Sequence, residues 1–456
     1  MKPSAGKPDD EKARSRRSDR EPRTSDAEML DALQRVSFDY FLRECDPDTG
    51  LVADRNQAGS PASIAATGLA LTIYIAAARR HILSRPAAAA KVLTVLRFLD
   101  ASSQGPEPDA TGYKGFYYHF LEMKTGRRAG NCELSTIDTA VLMAGIVSVA
   151  AWFTRDTPRE REIRRLAETL YARVDWHWAR DGAATITHGW KPECGFLPDR
   201  WDVGYSEALI LYVLAAAAPH FPIAPEGYRQ WAASFELRKV YDLVYVYAGP
   251  LFIHQLSQIW IDLRGVEDDL NRRLGFDYFE NSRRATYVHR QYGIENPRKF
   301  KHYGEYVWGL TASDGPGPAI IEVDGKRREF YGYRARGAPL GPDDGTVSPW
   351  AVVASIPFAP EIVIDAIRHA IEYLELKGQS QYGFDASFNP TFPSKERNRH
   401  GWTSPWIFGL NQGPVVLMIE NFQSGFIWDI MRSSPYIAQG LRRLGFSGGW
   451  LDHSPV

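Results

Sequence analysis

From Asp26 onward the sequence keeps returning to one pattern. Apolar residues recur at helical spacing over segments of roughly 15 to 20 residues, separated by loops rich in glycine, proline and aromatic residues. The pattern predicts helices over 27–44, 61–79, 86–103, 135–154, 158–174, 204–218, 226–236, 249–262, 266–291, 349–354, 360–377, 413–432 and 435–443. They are of two kinds. Some carry small residues on an apolar background (Ala65, Ala66, Gly68 and Ala70 in one; Ala140, Ala144 and Gly145 in another), which lets helices approach closely. Others, such as 158–174, set charge on one face and Ile163, Leu166, Leu170 and Val174 on the other, as helices with one wet face do. An inner and an outer layer follow, and about a dozen antiparallel helices in two rings make an all-α, (α/α)6 toroid. Strand signals are local: GYKGFYYHF before MKTGRR, and AIIEVDGKRREFYGY with its Asp-Gly turn, read as β-hairpin excursions at the rim. No βαβ alternation argues for a parallel sheet.

No linker divides residues 26–456, which predicts one catalytic domain behind a charged tail over 1–25. The first 24 residues hold eight Lys/Arg against five Asp/Glu and no large apolar residue before Met29, so the tail is expected to be disordered and is no export signal. The longest apolar run, 208–218, is short of the about 20 residues that cross a bilayer. The expected compartment is cytoplasmic, or periplasmic where a signal has been removed. The charges nearly cancel, 54 basic against 55 acidic, so no whole-molecule field recruits nucleic acid or an anionic membrane. Without the tail the balance is 46 against 50, mildly acidic. Thirteen Trp, 22 Tyr and 22 Phe supply faces that stack on sugars, and a small neutral or polar ligand fits this composition.

Several chemistries lack their parts. There is no GxxxxGK[ST], no HExxH and no EF-hand loop. Cys45, Cys132 and Cys194 form no CxxC, and the histidines, His254, His289 and His302 among them, show no metal spacing; no metal and no cofactor are expected. Gly445–Gly449 matches GxSxG, but with only Asp452 and His453 downstream it reads as a turn.

What stands out is a set of carboxylates in aromatic, glycine-rich or small-residue contexts. Glu207, in RWDVGYSEALILY beside Trp201 and Tyr205, is either a general acid whose pKa burial raises or a first-turn residue favoured by the helix dipole. Asp385, in YGFDASFNP among Tyr382, Phe384 and Phe388, suits a sugar site or an Asx-turn. Asp138 either points into the toroid mouth or supports its helix start. Asp314 and Glu305 flank Trp308, and the Asp-Gly turn accounts for Asp314 equally well. Asp262 with Arg264, and Glu420 with Asn421, read as buried structural pairs.

Seven ordered blocks, CELSTIDTAVLMAGI, GYSEALILYVL, GPLFIHQLSQIWIDLRG, DYFENSRRAT, YVWGLTASDGP, DGTVSPWAVVASIPFAPE and GLNQGPVVLMIENFQSGFIWDIMR, together resemble the glucoamylase-like domain family that includes the β-1,2-glucanases of glycoside hydrolase family 144. The similarity runs from the FDYF segment at 38–41 through Met431. It implies an (α/α)6 toroid and metal-free hydrolysis of β-1,2-glucan, with transglycosylation as the outcome in related cyclic glucan synthases. By motif, Glu207 of YSEA corresponds to the general acid and Asp385 of GFDASFN to the base. Asp138 of STIDTA and Asp314 of TASDGP correspond to substrate-binding carboxylates. Such a pair implies inversion, with carboxyls about 6.5 to 9.5 Å apart; in the same clan the acid can act through a substrate hydroxyl, which lengthens that distance.

The leading expectation is an inverting endo-β-1,2-glucanase that releases sophoro-oligosaccharides. Glu207 and Asp385 drive the reaction, and Asp138, Asp314, Glu305, Trp201, Tyr205, Trp308, Tyr382, Trp406 and His254 line the substrate. Two alternatives stay open on the same fold. One is an exo-acting enzyme releasing sophorose or glucose, or a transglycosylase with a nucleophile such as Glu305; the other is a toroid that binds glucan without cleaving it.

Overall fold

The computed structural model describes residues 25–374, 381–393 and 401–454; of the expected tail, only Ser25 falls within them. Ser25 and Glu28 close a reciprocal capping box on the first helix, α1 (Asp26–Arg43). There follow α2 (Ile64–Arg79), α3 (Arg85–Ala101), α4 (Thr136–Trp152), α5 (Pro158–Ala172), α6 (Leu209–Ala217), α7 (Glu226–Ala233), α8 (Leu251–Gln255) and α9 (Asp269–Leu274). The set is completed by α10 (Tyr278–Glu295), α11 (Pro349–Val353), α12 (Pro360–Glu372), α13 (Gly409–Ser424), α14 (Phe426–Arg432) and α15 (Pro435–Arg443).

These helices form the expected double ring. Neighbouring contacts run α2 to α4 to α6, and α11 to α13 and back to α2, with α8 joined to α11 through Gln255, whose amide donates to the Ala351 carbonyl at 2.6 Å and to Ser355 at 2.7 Å. Outside them α3 and α5 cover α2 and α4, α15 covers α6, α10 covers α8, α12 covers α11, and α1 covers α13. The layers differ as their sequences require. Every residue of α6 and all but Arg79 of α2 are buried, whereas α5 buries Ile163, Leu166, Leu170 and a few neighbours along one stripe. The closest approach is between α2 and α4. A Cβ on Gly145 would lie 2.1 Å from the Gly68 carbonyl oxygen, and one on Gly68 would lie 2.5 Å from the Leu142 Cα, so only glycine fits this crossing.

Some boundaries differ from the sequence reading. The segment 266–291 is two helices, α9 ending at left-handed Gly275 and α10 starting from an Asp277 cap. Likewise 413–432 divides at Gly425, φ 68°, and α13 starts earlier, at Gly409. The segment 249–262 is the short α8 followed by a 3-10 turn at Ser257–Ile259. Both expected hairpins are present, the second pairing Ala319–Val323 with Lys326–Phe330 around Asp324-Gly325, both at positive φ. A further hairpin, Leu237–Val240 with Leu243–Val246, turns at Tyr241-Asp242. Of the expected structural pairs, Asp262 accepts from Arg264, and also from Arg432, whereas Glu420 accepts from Arg80 and Gln34 instead of pairing with Asn421, which donates to the Ile259 carbonyl at 2.9 Å. Among the described residues no helix is long and apolar enough to cross a membrane, and no group of His, Cys, Asp and Glu could hold a metal.

Candidate active site

At one end of the toroid the starts of the inner helices converge on a cavity of about 210 Å³. Its wall takes Ala65 from α2, Ile137, Asp138 and Val141 from α4, Glu207 just ahead of α6, Phe252 from α8, Trp350 from α11, and Leu410, Asn411 and Pro414 from α13. Unsatisfied N–H groups and helix dipoles point at such a place and favour negative charge there. Burial in an otherwise apolar wall opposes it.

The balance is visible at Glu207. Burial, with a smaller contribution from the Asp138 carboxylate, pushes its carboxyl up to about 7. It precedes α6 instead of standing in its first turn, and its main-chain carbonyl is pinned by the Ser257 hydroxyl at 2.7 Å. Asp138 does support its helix start, since its N–H bonds the Ser135 hydroxyl at 3.2 Å and its carboxylate accepts from the same hydroxyl. It also lines the cavity, so the two sequence readings hold together.

Three polar groups around the mouth carried no sequence signal. Asp54 lies on an extended segment laced between residues 61 and 409, its N–H on the Pro61 carbonyl at 2.8 Å and its carbonyl accepting from Gly409 at 2.9 Å. Burial raises Asp54 to about 6, with Arg55 and His119 pulling it down and Asp138 and Asp314 pushing it up. His119 lines the cavity and pairs with Glu133 at 2.9 Å and Asp138 at 3.6 Å. Burial alone would lower its pKa, but Asp138, Glu133 and Asp54 outweigh that and raise it to about 9, so it is an imidazolium at neutral pH. Arg55 completes the group, its Nε buried without a hydrogen-bond partner.

Asp314 joins the same cluster. Ser404 donates to it at 3.2 Å, and burial raises its pKa against Ser404, Arg55 and Arg336. Asp385 stands apart. Burial alone, with no neighbouring charge, lifts it to about 7, and its Oδ2 is buried with no hydrogen-bond partner. Its chain nonetheless runs beside Asp314, whose carbonyl accepts from Ser387 at 2.9 Å.

The expected substrate-lining aromatics divide. Trp201 and Trp406 are half-buried, Trp201 over His188 at 4.0 Å and Trp406 joined to Ser404 beside Asp314. Tyr205, Trp308 and Tyr382 are buried. Tyr205 stacks on Tyr278, Trp308 faces a small apolar void, and Tyr382 donates to Glu44. His254 is buried against Tyr205, their ring centroids 5.3 Å apart, with its Nε2 on the Ala248 carbonyl at 3.2 Å; burial lowers its pKa to about 4 and keeps it neutral. Glu305 is half-exposed on the surface, paired with Arg290.

Residues 200–435 match the family model described as "Putative glucoamylase". The chain belongs to this glucoamylase-like family. It is 30% identical to a Bacteroides uniformis protein of the same description, with a TM-score of 0.84 over 95% of this chain and 100% of that one. It is 25% identical to an endo-β-1,2-glucanase from Chitinophaga pinensis, solved with sophorotriose and glucose, with a TM-score of 0.81 over 94% of this chain and 100% of that one. Among curated proteins, an exo β-1,2-glucooligosaccharide sophorohydrolase from Parabacteroides distasonis is 26% identical over 92% of this chain, which spans 58% of that relative's length. In this glucoamylase-like domain, Asp54 and His119 escaped the sequence reading because their burial is tertiary. DRNQAGSP reads as a polar loop and YYHF as strand, and only the closing of the ring brings both against Asp138.

Proposed function

We propose that the chain hydrolyses β-1,2-linked glucan as an inverting, endo-acting enzyme, with Glu207 as general acid and Asp385 as general base. The observation that carries this reading is Glu207: a carboxyl held near pKa 7 by burial in the wall of the cleft, protonated in a useful fraction at neutral pH and next to a carboxylate. In the reaction, Glu207 gives its proton to the glycosidic oxygen as the C1–O bond breaks. Asp385 takes a proton from the water that attacks C1 from the opposite face, so the β-linkage yields an α-anomer. The unpartnered Oδ2 of Asp385 is what a base awaiting its water requires. Asp138, Asp314 and Asp54 are acceptors for sugar hydroxyls, and the His119 imidazolium keeps the cluster from self-repulsion.

The relatives bear on the choice of substrate and mode. The β-1,2-glucan-acting relatives match over nearly this whole chain, and the endo-acting one is itself matched end to end. The Parabacteroides relative favours a second reading, exo release of sophorose on the same site. A retaining route through Glu305 has no support, because that carboxylate is engaged by Arg290 on the surface.

Incubation with linear β-1,2-glucan tests both readings. A rapid fall in viscosity with a ladder of sophoro-oligosaccharides is the expected result. Sophorose alone from the first time point would replace endo with exo action, and no product at all would end the proposal.

A further inference from the structure

A single exposed aromatic side chain needs no explanation on an open surface, but one that lines a concave cavity beside titratable groups is placed to meet a ligand. Tyr333 is 69% exposed, yet it lines the cleft cavity together with Glu207 and Asp138. Its exposure is therefore to the cleft. The protein surrounding it in the cleft, together with the Asp54, Asp314, Glu207 and Asp138 carboxylates, pushes the hydroxyl up to about 12, so it remains a neutral donor among acceptors. Of the other Phe and Trp side chains lining this cavity, Trp350 is buried and Phe252 is half-buried against the core, so Tyr333 is the most exposed of these rings.

The loop that carries it is held rigidly. Arg336 and Asp344 are fully buried and pair through two bonds at 2.7 and 2.8 Å. The same guanidinium donates to the carbonyls of Tyr331 at 3.2 Å and Gly332 at 3.1 Å, and to that of Ser313 at 2.8 Å. Asp344 also accepts from the Tyr331 N–H at 2.8 Å. Arg334–Ala335 then pair with Ala312–Ser313, the strand that leads directly into Asp314. One buried ion pair thus fixes the backbone on either side of Tyr333 to the strand that leads into Asp314, so little ordering of the loop is left for a ligand to impose.

We propose that Tyr333 is a substrate-contacting, specificity-determining residue that stacks on a glucosyl ring beside the scissile bond and donates its hydroxyl to that sugar, on a loop preset by Arg336 and Asp344. This rests on the β-1,2-glucan reading above and adds to the cleft wall a residue carried by a loop outside the helices.

The test is calorimetric titration of sophoro-oligosaccharides into the Glu207→Gln protein, with and without Tyr333→Ala or Tyr333→Phe. Tyr333→Ala is expected to weaken binding about tenfold or more, and Tyr333→Phe to stay within about threefold of the parent. In the active enzyme Tyr333→Ala is expected to raise KM by a similar factor, with kcat changed much less. Because the side chain is exposed, the melting temperature should not move. Parental affinity in Tyr333→Ala overturns the inference while leaving the substrate reading intact. Glu207→Gln protein that binds no sophoro-oligosaccharide overturns the substrate reading, and the inference with it.

Discussion

Two populations of buried carboxylate occupy this molecule. Those with a structural role are answered by arginine: Asp344 by Arg336 in the loop ahead of α11, Asp262 by Arg264 and Arg432, and Glu160 by Arg85, and each is held below the ordinary carboxylate range although burial works against it. Glu207 in the cavity wall, Asp54 beside it and Asp385 on the loop that runs past Asp314 have no arginine bridge among the described residues, and burial lifts them to about 7, 6 and 7. Asp343 shows that burial without arginine is not enough to mark a site. It too is raised, but its oxygens are satisfied by Tyr292, Tyr303 and the Gly345 N–H. The difference teaches where to look for chemistry: where the cost of burying a carboxylate is left uncompensated.

That contrast breaks first if Glu207 can be neutralised without consequence. Glu207→Gln is expected to lower kcat on β-1,2-glucan by about 10³, and Asp385→Asn by a comparable factor, measured by released reducing ends. Among the arginine-paired carboxylates, Asp344→Ala strands a buried guanidinium and is expected to cost about 3–5 kcal/mol in denaturant unfolding. Glu207→Gln, by contrast, should stabilise the fold, and the pH dependence gives the sign. A carboxyl raised from 4.5 to about 7 contributes stability that is fully present below its unfolded pKa and lost as pH rises through about 7. Relative to the parent, Glu207→Gln and Asp385→Asn should therefore gain on the order of 1–3 kcal/mol above pH 8 and little at pH 4. The same values predict an activity maximum near neutrality, falling on the alkaline side as Glu207 ionises and on the acid side as Asp385 is protonated. The smallest effect belongs to Glu305→Gln, which exchanges one surface ion pair and should leave activity within about twofold and stability within about 0.5 kcal/mol.

Much of the frame could be read in the chain. Residues such as Ala65, Gly68 and Gly145 mark helices packed against helices, and the stripe of Ile163, Leu166 and Leu170 marks a half-wet one, because layer position controls composition directly. Helix breaks were less legible. Gly425 and Gly275 sit inside unbroken apolar periodicity, and only their left-handed backbone ends the helices there. The mouth was legible in part. Glu207 and Asp138 stand in apolar or aromatic runs and Asp314 closes one, where a carboxylate is conspicuous, whereas Asp54 opens the polar run DRNQ and becomes buried only when residues 61 and 409 close around it. Aromatic residues gave the weakest guidance, since Trp308, Tyr205 and Tyr382 look in sequence like the half-buried Trp201 and Trp406 and are core in the structure.

The most direct measurement follows the anomeric protons by NMR while linear β-1,2-glucan is digested by the parent protein and by Glu207→Gln. An α-anomer appearing first with the parent, and no signal above background with the variant, is the expected result. A β-anomer appearing first, or equal turnover by both proteins, would contradict the role given to the unpaired carboxylates of the mouth.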